Sequence, residues 1–223
     1  MALEGQPYVV IMLGSPRKDG NTSVLAAAVE AGALQAGASV EKFWLRSMKI
    51  SPCLNCGGCN DTGICVVKDD MVHVYDAVNR SDRLVIASPI YYYGVTGWAK
   101  AAIDRFQPYW AQTHLLKKPP SGTRERWGAL VSLGATRGKR LFDGAIATAR
   151  YCFQDAGLWH SDFHLNEIRA ENLLALGRFE DVAVFADMIR TLLPQAEENA
   201  QEVYGLPGAM YPLVHFPLRC RGI

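Results

Sequence analysis

The chain of 223 residues carries 23 Lys and Arg against 22 Asp and Glu, which gives a formal net charge of +1 at pH 7. This balance argues against a nucleic-acid-binding protein, in which basic residues are normally in clustered excess. With 49% hydrophobic and 20% charged residues, the composition excludes disorder and predicts a substantial buried core.

Apolar runs along the chain are short. None approaches the roughly 18 residues that would span a bilayer, and the N-terminus lacks the pattern of a signal peptide. We therefore expect a cytoplasmic protein with neither membrane nor nucleic-acid partners. Four of the six cysteines crowd into positions 53 to 65, which in a reducing compartment indicates metal or redox chemistry rather than disulfides.

Strand-like and helix-like segments alternate along the chain. Apolar runs predict strands at 8–13, 39–44, 83–88, 127–132 and 159–165. Longer stretches predict helices at 22–36, 70–79, 96–109, 138–156 and 179–204. This alternation predicts an α/β fold in which a five-stranded parallel sheet lies between two helical layers. The simplest organisation is one domain over 1–223 with a cysteine-rich loop at 47–68 and a helical C-terminal extension.

The segment 14–23 joins the first strand to the first helix, the place where open parallel sheets bind ligands. Hydroxyl and amide side chains there coincide with the free N–H groups and positive dipole of a helix N-terminus, which predicts a phosphate monoester site. The spacing fits neither G-x-G-x-x-G nor G-K-[ST]. Alternatively, Asn21 or Thr22 only caps the helix.

Two further loops follow the third and fourth predicted strands. Residues 88–95 offer backbone N–H groups and aromatic faces, as an isoalloxazine ring requires, and 132–138 offer small residues that allow close backbone approach. The three consecutive tyrosines at 91–93 could instead pack at the strand end. A common ligand at the carboxyl edge of the sheet explains all three loops together.

The cysteines follow the spacing C-x-x-C-x-x-C-x5-C at Cys53, Cys56, Cys59 and Cys65. Three cysteines at steps of three with a nearby fourth favour one 4Fe–4S cluster. Zinc sites usually separate two C-x-x-C knuckles more widely. The alternatives are zinc, redox-active thiols, or reduced and inert thiols in a dimer-contact hairpin.

These motifs together resemble a known family. The strings Gly14-Ser15-Pro16-Arg17, Gly20-Asn21-Thr22 and Ser88-Pro89-Ile90-Tyr91, with Lys100 and Asp104-Arg105, resemble the NADPH-dependent FMN reductase family and its flavodoxin-like fold. The cysteine segment, with Gly63 and Asp69-Asp70, is similar to the iron-sulfur flavoprotein branch of that family. The resemblance covers residues 8 to 150.

The resemblance implies FMN at the carboxyl edge. Its phosphate would lie against Ser15, Arg17, Asn21, Thr22 and Ser23. Its ring would lie against Pro89, Ile90, Tyr91, Tyr92 and Gly94, with Ser132 and Gly134 from the third loop. The implied function is an FMN-dependent oxidoreductase or electron-transfer flavoprotein that takes electrons from NAD(P)H or a redox protein, with no side chain obliged to act as acid or base.

Other functions remain open at the level of sequence. They are a cluster-free quinone, nitro or azo reductase that uses a nicotinamide cofactor, an electron carrier, and a thiol redox sensor. The balanced net charge argues against an electron carrier, since such proteins usually rely on charge to steer their partners. The resemblance favours a homodimer or homotetramer that serves a redox partner protein or a small-molecule acceptor. Large aromatic residues after the second loop could cover one another between subunits and so support an oligomer. Alternatively, they pack in the core of one chain. They are Trp98, Phe106, Tyr109 and Trp110.

Overall fold

The computed structural model describes residues 6–120, 126–134, 140–158 and 211–215. Four parallel strands form the sheet predicted from the sequence: β1 (Tyr8–Leu13), β2 (Ser39–Trp44), β3 (Arg83–Pro89) and β4 (Trp127–Gly134). A further strand, β5 (Tyr211–His215), pairs antiparallel with β4, and the strand order is β2-β1-β3-β4-β5. The strand predicted at 159–165 lies outside the described residues, so a fully parallel five-stranded sheet stays a prediction.

The described helices are α1 (Asn21–Gln35), α2 (Met71–Arg80), α3 (Gly97–Asp104), α4 (Gln107–Trp110) and α5 (Asp143–Asp155). A 3-10 turn at Leu45–Ser47 follows β2, and a π-helical turn at Ala111–Leu115 follows α4. The helix predicted at 179–204 lies outside the described residues. Within the described ranges, no helix is both long enough and apolar enough to cross a membrane.

The sheet lies between two helical layers because its central strands β1, β3 and β4 are apolar on both faces. On β1, Val9 and Ile11 pack in the cluster that contains residues of α1. Val10 and Met12 point to the other face and pack in the larger cluster with α2, α3 and α5. The predicted three-layer α/β architecture is therefore confirmed for the described part of the chain. Met48 and Ile50, at the start of the cysteine-rich loop, pack against the larger cluster.

The single helix predicted at 96–109 is wrong, because the chain turns between α3 and α4. In a continuous helix the ring of Pro108 would clash with the carbonyl of Asp104, and α3 ends at Asp104. The aromatic residues of this segment consequently have different environments. Phe106 and Tyr109 are core residues at 3% and 2% exposure, whereas Trp98 is exposed. The first two therefore give no support to an oligomer interface.

Candidate functional site

The loops after β1, β3 and β4 begin at the same edge of the sheet. The parallel registers place Leu13 beside Ala87, and Pro89 beside Leu133. The predicted meeting of these loops at the carboxyl edge is thus confirmed, although residues 135–139 of the third loop lie outside the described residues. This edge is where an open α/β sheet binds its ligand.

The loop after β1 is folded by its own hydroxyls. Ser15 Oγ accepts a hydrogen bond from the Arg17 N–H at 3.2 Å, and Ser23 Oγ donates to the Arg17 carbonyl at 3.2 Å. Ser15 and Thr22 are buried, at 4% and 3% exposure. The N-cap of α1 is Gly20, so Asn21 and Thr22 are the first two helical residues rather than its caps. The capping alternative is therefore wrong.

Two residues that the sequence analysis missed fasten this loop to β2. Trp44 Nε1 donates to the Ser15 carbonyl at 3.0 Å, and an Arg46 guanidinium N–H donates to the Pro16 carbonyl at 2.7 Å. The charged ends of Arg46 and Lys18 each lie 6.0 Å from the centroid of the Trp44 ring. In the sequence, Trp44 and Arg46 could have been found only from their position at the carboxyl end of the strand beside β1. The positive charges of Arg46 and Lys18 lie beside the loop and favour an anion there.

The loop after β3 is a tight hairpin turn. The backbone N–H and C=O groups of Tyr91 and Gly94 exchange hydrogen bonds of 2.8 and 3.0 Å. Between them, Tyr92 and Tyr93 have φ values of 48° and 62°, the pattern of a type I′ turn that usually needs Gly or Asn. The tyrosines at 91, 92 and 93 are 46%, 104% and 55% exposed, so packing at the strand end is wrong. A strained turn that presents aromatic rings is typical of a ligand site.

A buried hydrogen-bond network holds the three loops together. Ser132 Oγ donates to the Ser88 carbonyl at 2.6 Å, and Ser88 Oγ accepts from the Thr96 N–H at 3.0 Å. Thr96 Oγ1 donates to the Gly14 carbonyl at 2.6 Å and caps α3 by accepting from the Ala99 N–H. The hydroxyl of Ser132 is thus occupied by the backbone. Sequence analysis missed Thr96, because a hydroxyl residue at the start of a helix usually indicates only a helix cap.

The remaining predicted ring residues lie beside this network. Pro89 ends β3, and the Ile90 N–H donates to the Leu133 carbonyl at 2.8 Å. Gly134 ends β4 and is buried. A Cβ at Gly134 would lie 2.3 Å from Leu141 Cδ2, so any larger residue there would displace the Leu141 side chain.

The four clustered cysteines line a single cavity of about 270 Å³. Cys56 is exposed, and Cys53, Cys59 and Cys65 are half-buried. Across the described residues, no three His, Cys, Asp or Glu side chains are grouped so that they could hold a metal ion. The four cysteines therefore share one cavity without forming the arrangement of a metal-ligand group. A cavity that holds one water has a volume of about 10–15 Å³. The much larger cavity between the cysteines therefore has room for a group of several atoms.

Burial, together with the charges of Cys65, Cys53 and Cys56, raises the pKa of the Cys59 thiol above its usual range. The other thiolates contribute because they lie near Cys59, and like charges oppose ionisation. Without a cation nearby, the Cys59 thiol therefore resists ionisation. A positively charged metal centre in the cavity would reverse that preference.

Arg105, which lines the cavity, forms a buried clamp with Asp69. The guanidinium donates to both Asp69 carboxylate oxygens, at 2.7 and 3.2 Å, and the two side chains are only 1% and 11% exposed. It also donates to the Ser51 and Val67 carbonyls at 2.9 and 3.3 Å. Burial opposes ionisation of Asp69, but the bonds from Arg105, Ser51 N–H and Met71 N–H hold its pKa below the usual range. In the sequence, these two residues were parts of a motif without a role.

A second contact fixes the middle of the cysteine loop. Gln112 Nε2, in the π-helical turn, donates to the Gly63 carbonyl at 2.7 Å. Gly63 has φ +68°, and a Cβ there would lie 2.5 Å from Gln112 Cγ. Glycine adopts this φ without strain, and a larger residue would displace the Gln112 side chain from its contact. π-Helical turns occur frequently at functional sites, and this one supports the segment between Cys59 and Cys65.

The order β2-β1-β3-β4, with ligand loops at the carboxyl edge, defines a flavodoxin-like α/β protein. The family model for NADPH-dependent FMN reductase matches residues 7–142. The chain therefore belongs to the NADPH-dependent FMN reductase family, and its sequence relatives place it in the iron-sulfur flavoprotein branch.

Two relatives are both named iron-sulfur flavoprotein. The one from Archaeoglobus fulgidus is 44% identical over 98 residues, which cover 44% of each chain. The one from Methanosarcina thermophila is 29% identical over 124 residues, which cover 56% of this chain and 61% of that relative. The chain thus spans about half the length of these curated relatives.

Solved structures agree on the fold. A flavone reductase superimposes with a TM-score of 0.53 at 19% identity, over 86% of this chain and 64% of that one. An azoreductase from Bacillus anthracis superimposes with a TM-score of 0.53 at 14% identity, over 88% of this chain and 100% of that one. At these identities the likeness shows the flavodoxin-like fold alone.

Proposed function

We propose that this chain is an FMN-dependent oxidoreductase that also holds a 4Fe–4S cluster. It would take electrons from NAD(P)H or a redox protein at the carboxyl edge of the sheet and pass them to an acceptor, with the cluster as a second redox centre. Membership of the FMN reductase family supports the oxidoreductase and its FMN. The observation that carries the cluster is that Cys53, Cys56, Cys59 and Cys65 all line one cavity.

The residues at the carboxyl edge fit FMN. The phosphate would be held by the loop after β1 through Ser15, Arg17, Asn21, Thr22 and Ser23. The buried hydroxyls of that loop and the cations beside Trp44 suit a charged phosphate. The ring would lie against Pro89, Ile90, Tyr91, Tyr92 and Gly94, with the Ser132–Gly134 segment behind it. FMN, when bound, supplies the one- and two-electron chemistry, and these residues bind and orient it.

The cysteine cavity fits a cluster better than a single zinc ion. Four thiolates around zinc would converge to about 2.3 Å from the metal. Here the four cysteines line a cavity of about 270 Å³, which has room for more than a single ion. Thiolate is the usual ligand of iron-sulfur clusters, and the spacing gives four of them.

Assembly and location are also proposals. Tyr92 and Trp98 are exposed, which supports a homodimer or homotetramer in which these rings are covered. A redox partner protein or a small-molecule acceptor would then use the same edge. The cytoplasmic location and the choice between NADH and NADPH stay predictions.

One experiment separates the proposal from its alternatives. Protein expressed without oxygen would be examined by absorption spectroscopy before and after reconstitution with iron and sulfide. Flavin bands plus broad iron-sulfur absorption that bleaches on reduction are expected. Flavin bands alone, with NAD(P)H oxidation intact, would instead establish a cluster-free reductase. Reversible disulfides among the four cysteines without iron would establish a thiol sensor.

We expect the chain to bind FMN more tightly than FAD or riboflavin. The loop after β1 offers one phosphate site, which riboflavin cannot use. Thr22→Val should weaken FMN binding by about 1–3 kcal/mol, the contribution of one hydrogen bond to a charged group. Fluorescence titration measures the affinities. The matched control is Thr113→Val, which also removes one hydroxyl contact, to the Asp155 carbonyl, and should leave FMN affinity unchanged. Equal affinities for FMN and riboflavin would remove the phosphate site.

The exposed tyrosines give a second expectation. Tyr91→Leu or Tyr92→Leu should alter flavin fluorescence or midpoint potential, because an aromatic neighbour stacks on or quenches the ring. The free energy of unfolding should change by no more than about 0.5 kcal/mol, as for other surface substitutions. Tyr151→Leu on α5, where the ring is 58% exposed, is the control. Flavin spectra unchanged in both variants would show that neither ring contacts FMN.

A further inference from the structure

Arg105 differs from every other residue of the cysteine cavity. It is the one charged residue that lines the cavity within the described ranges, and it is 1% exposed. Among the described residues, those that line the cavity do not include Asp69, the ion-pair partner of Arg105. The ion pair therefore contributes to the cavity wall through Arg105 and not through Asp69.

The hydrogen bonds of Arg105 are incomplete in one place. Its two terminal nitrogens donate to Asp69, Ser51 and Val67. The Nε–H is buried and has no partner among the described residues. A buried donor without an acceptor destabilises the folded protein, so native structures contain few of them.

The contacts of Arg105 also close the loop that carries the cysteines. Ser51 precedes Cys53, and Val67 follows Cys65, so one guanidinium joins the two ends of the segment. The equally buried Arg126 provides a contrast. It donates to the Ser81, Val78 and Ala156 carbonyls and does not line this cavity.

We propose that Arg105 is the positioning residue of the cluster site and sets its reduction potential. This inference rests on the cluster proposed above. Four thiolates make a 4Fe–4S centre anionic, and reduction adds one electron and hence one more negative charge. A buried guanidinium in the wall stabilises the reduced form more than the oxidised form, because Coulomb attraction is strong where water is excluded. Arg105 therefore raises the potential while holding the ends of the cysteine loop together.

The test compares variants in which the charge beside the cavity changes in opposite directions. Arg105→Gln removes the cation and should lower the cluster midpoint potential. A tenfold change in the reduced-to-oxidised ratio corresponds to about 59 mV for one electron. Arg105→Lys keeps the charge and should stay nearer the wild-type potential. Asp69→Asn leaves the cation uncompensated and should raise the potential.

Iron content per chain and midpoint potential would be measured on anaerobically reconstituted, FMN-loaded protein. Arg126→Gln is the matched control, and it should lower the unfolding temperature without moving the potential. The proposal is overturned if Arg105→Gln and Asp69→Asn both leave the potential unchanged, or if Arg126→Gln shifts it equally. If Arg105→Gln does not fold, Asp69→Asn decides alone: a raised potential supports the proposal, and an unchanged potential overturns it. Wild-type protein that takes up no iron would overturn the cluster itself and Arg105 with it, whereas iron with unchanged potentials overturns Arg105 alone.

Discussion

Replacing Cys59 with serine should remove about four irons per chain, the content of one cubane, and leave the bound FMN in place. Cys59 is one of four cysteines around the cavity, and a serine hydroxyl is a poor substitute for a thiolate ligand. The flavin loops follow β1, β3 and β4, whereas Cys59 lies between β2 and α2. Iron and flavin would be quantified on the same anaerobic sample.

Cys152→Ala is the control for this substitution. Cys152 is buried on α5 at 4% exposure and belongs to the core, as expected from its apolar helix. This variant should lose some stability and keep its iron. Iron-free wild-type protein after anaerobic reconstitution, with all four clustered thiols titrating, would contradict the cluster and leave a flavin-only reductase.

Replacing Asp69 with asparagine should lower the free energy of unfolding by about 3–5 kcal/mol at pH 7, the usual cost of removing one partner of a buried ion pair. The variant leaves the Arg105 guanidinium buried without its counter-charge. Denaturant unfolding measures the loss. Asp104→Asn breaks the neighbouring exposed pair with Lys100, which should cost no more than about 1 kcal/mol. Similar losses of stability in both variants would show that the buried ion pair stabilises the fold no more than the exposed one.

The ion pair between Asp69 and Arg105 predicts that the free energy of unfolding depends on pH. Because Arg105 and two backbone N–H groups lower the pKa of Asp69, its carboxylate stabilises the fold above the unfolded-state pKa of about 3.9. That contribution is lost as the pH falls through the lower, folded-state pKa. The difference between wild type and Asp69→Asn should therefore be constant near neutrality and shrink below about pH 4. A difference that persists unchanged into strong acid would contradict the ion pair.

The carboxyl edge shows how far sequence patterns reach. The strands β1, β3 and β4 followed from continuous apolar runs, since burial on both faces leaves few polar positions. The phosphate loop followed from its place between β1 and α1. Thr96 did not follow, because its hydroxyl bonds the Gly14 carbonyl 82 residues away. No local pattern records such a contact.

The cysteine cavity shows the same division. The spacing of Cys53, Cys56, Cys59 and Cys65 determined by itself which residues could ligate metal, because short spacing along the chain brings side chains together without long loop closure. Only the tertiary structure decided what encloses them. Arg105 reaches Asp69 across 36 residues, and its burial comes from packing between α3 and the cysteine loop. Apolar periodicity and local spacing are properties of neighbouring residues, whereas the charge beside a cavity depends on which distant segments the fold brings into contact.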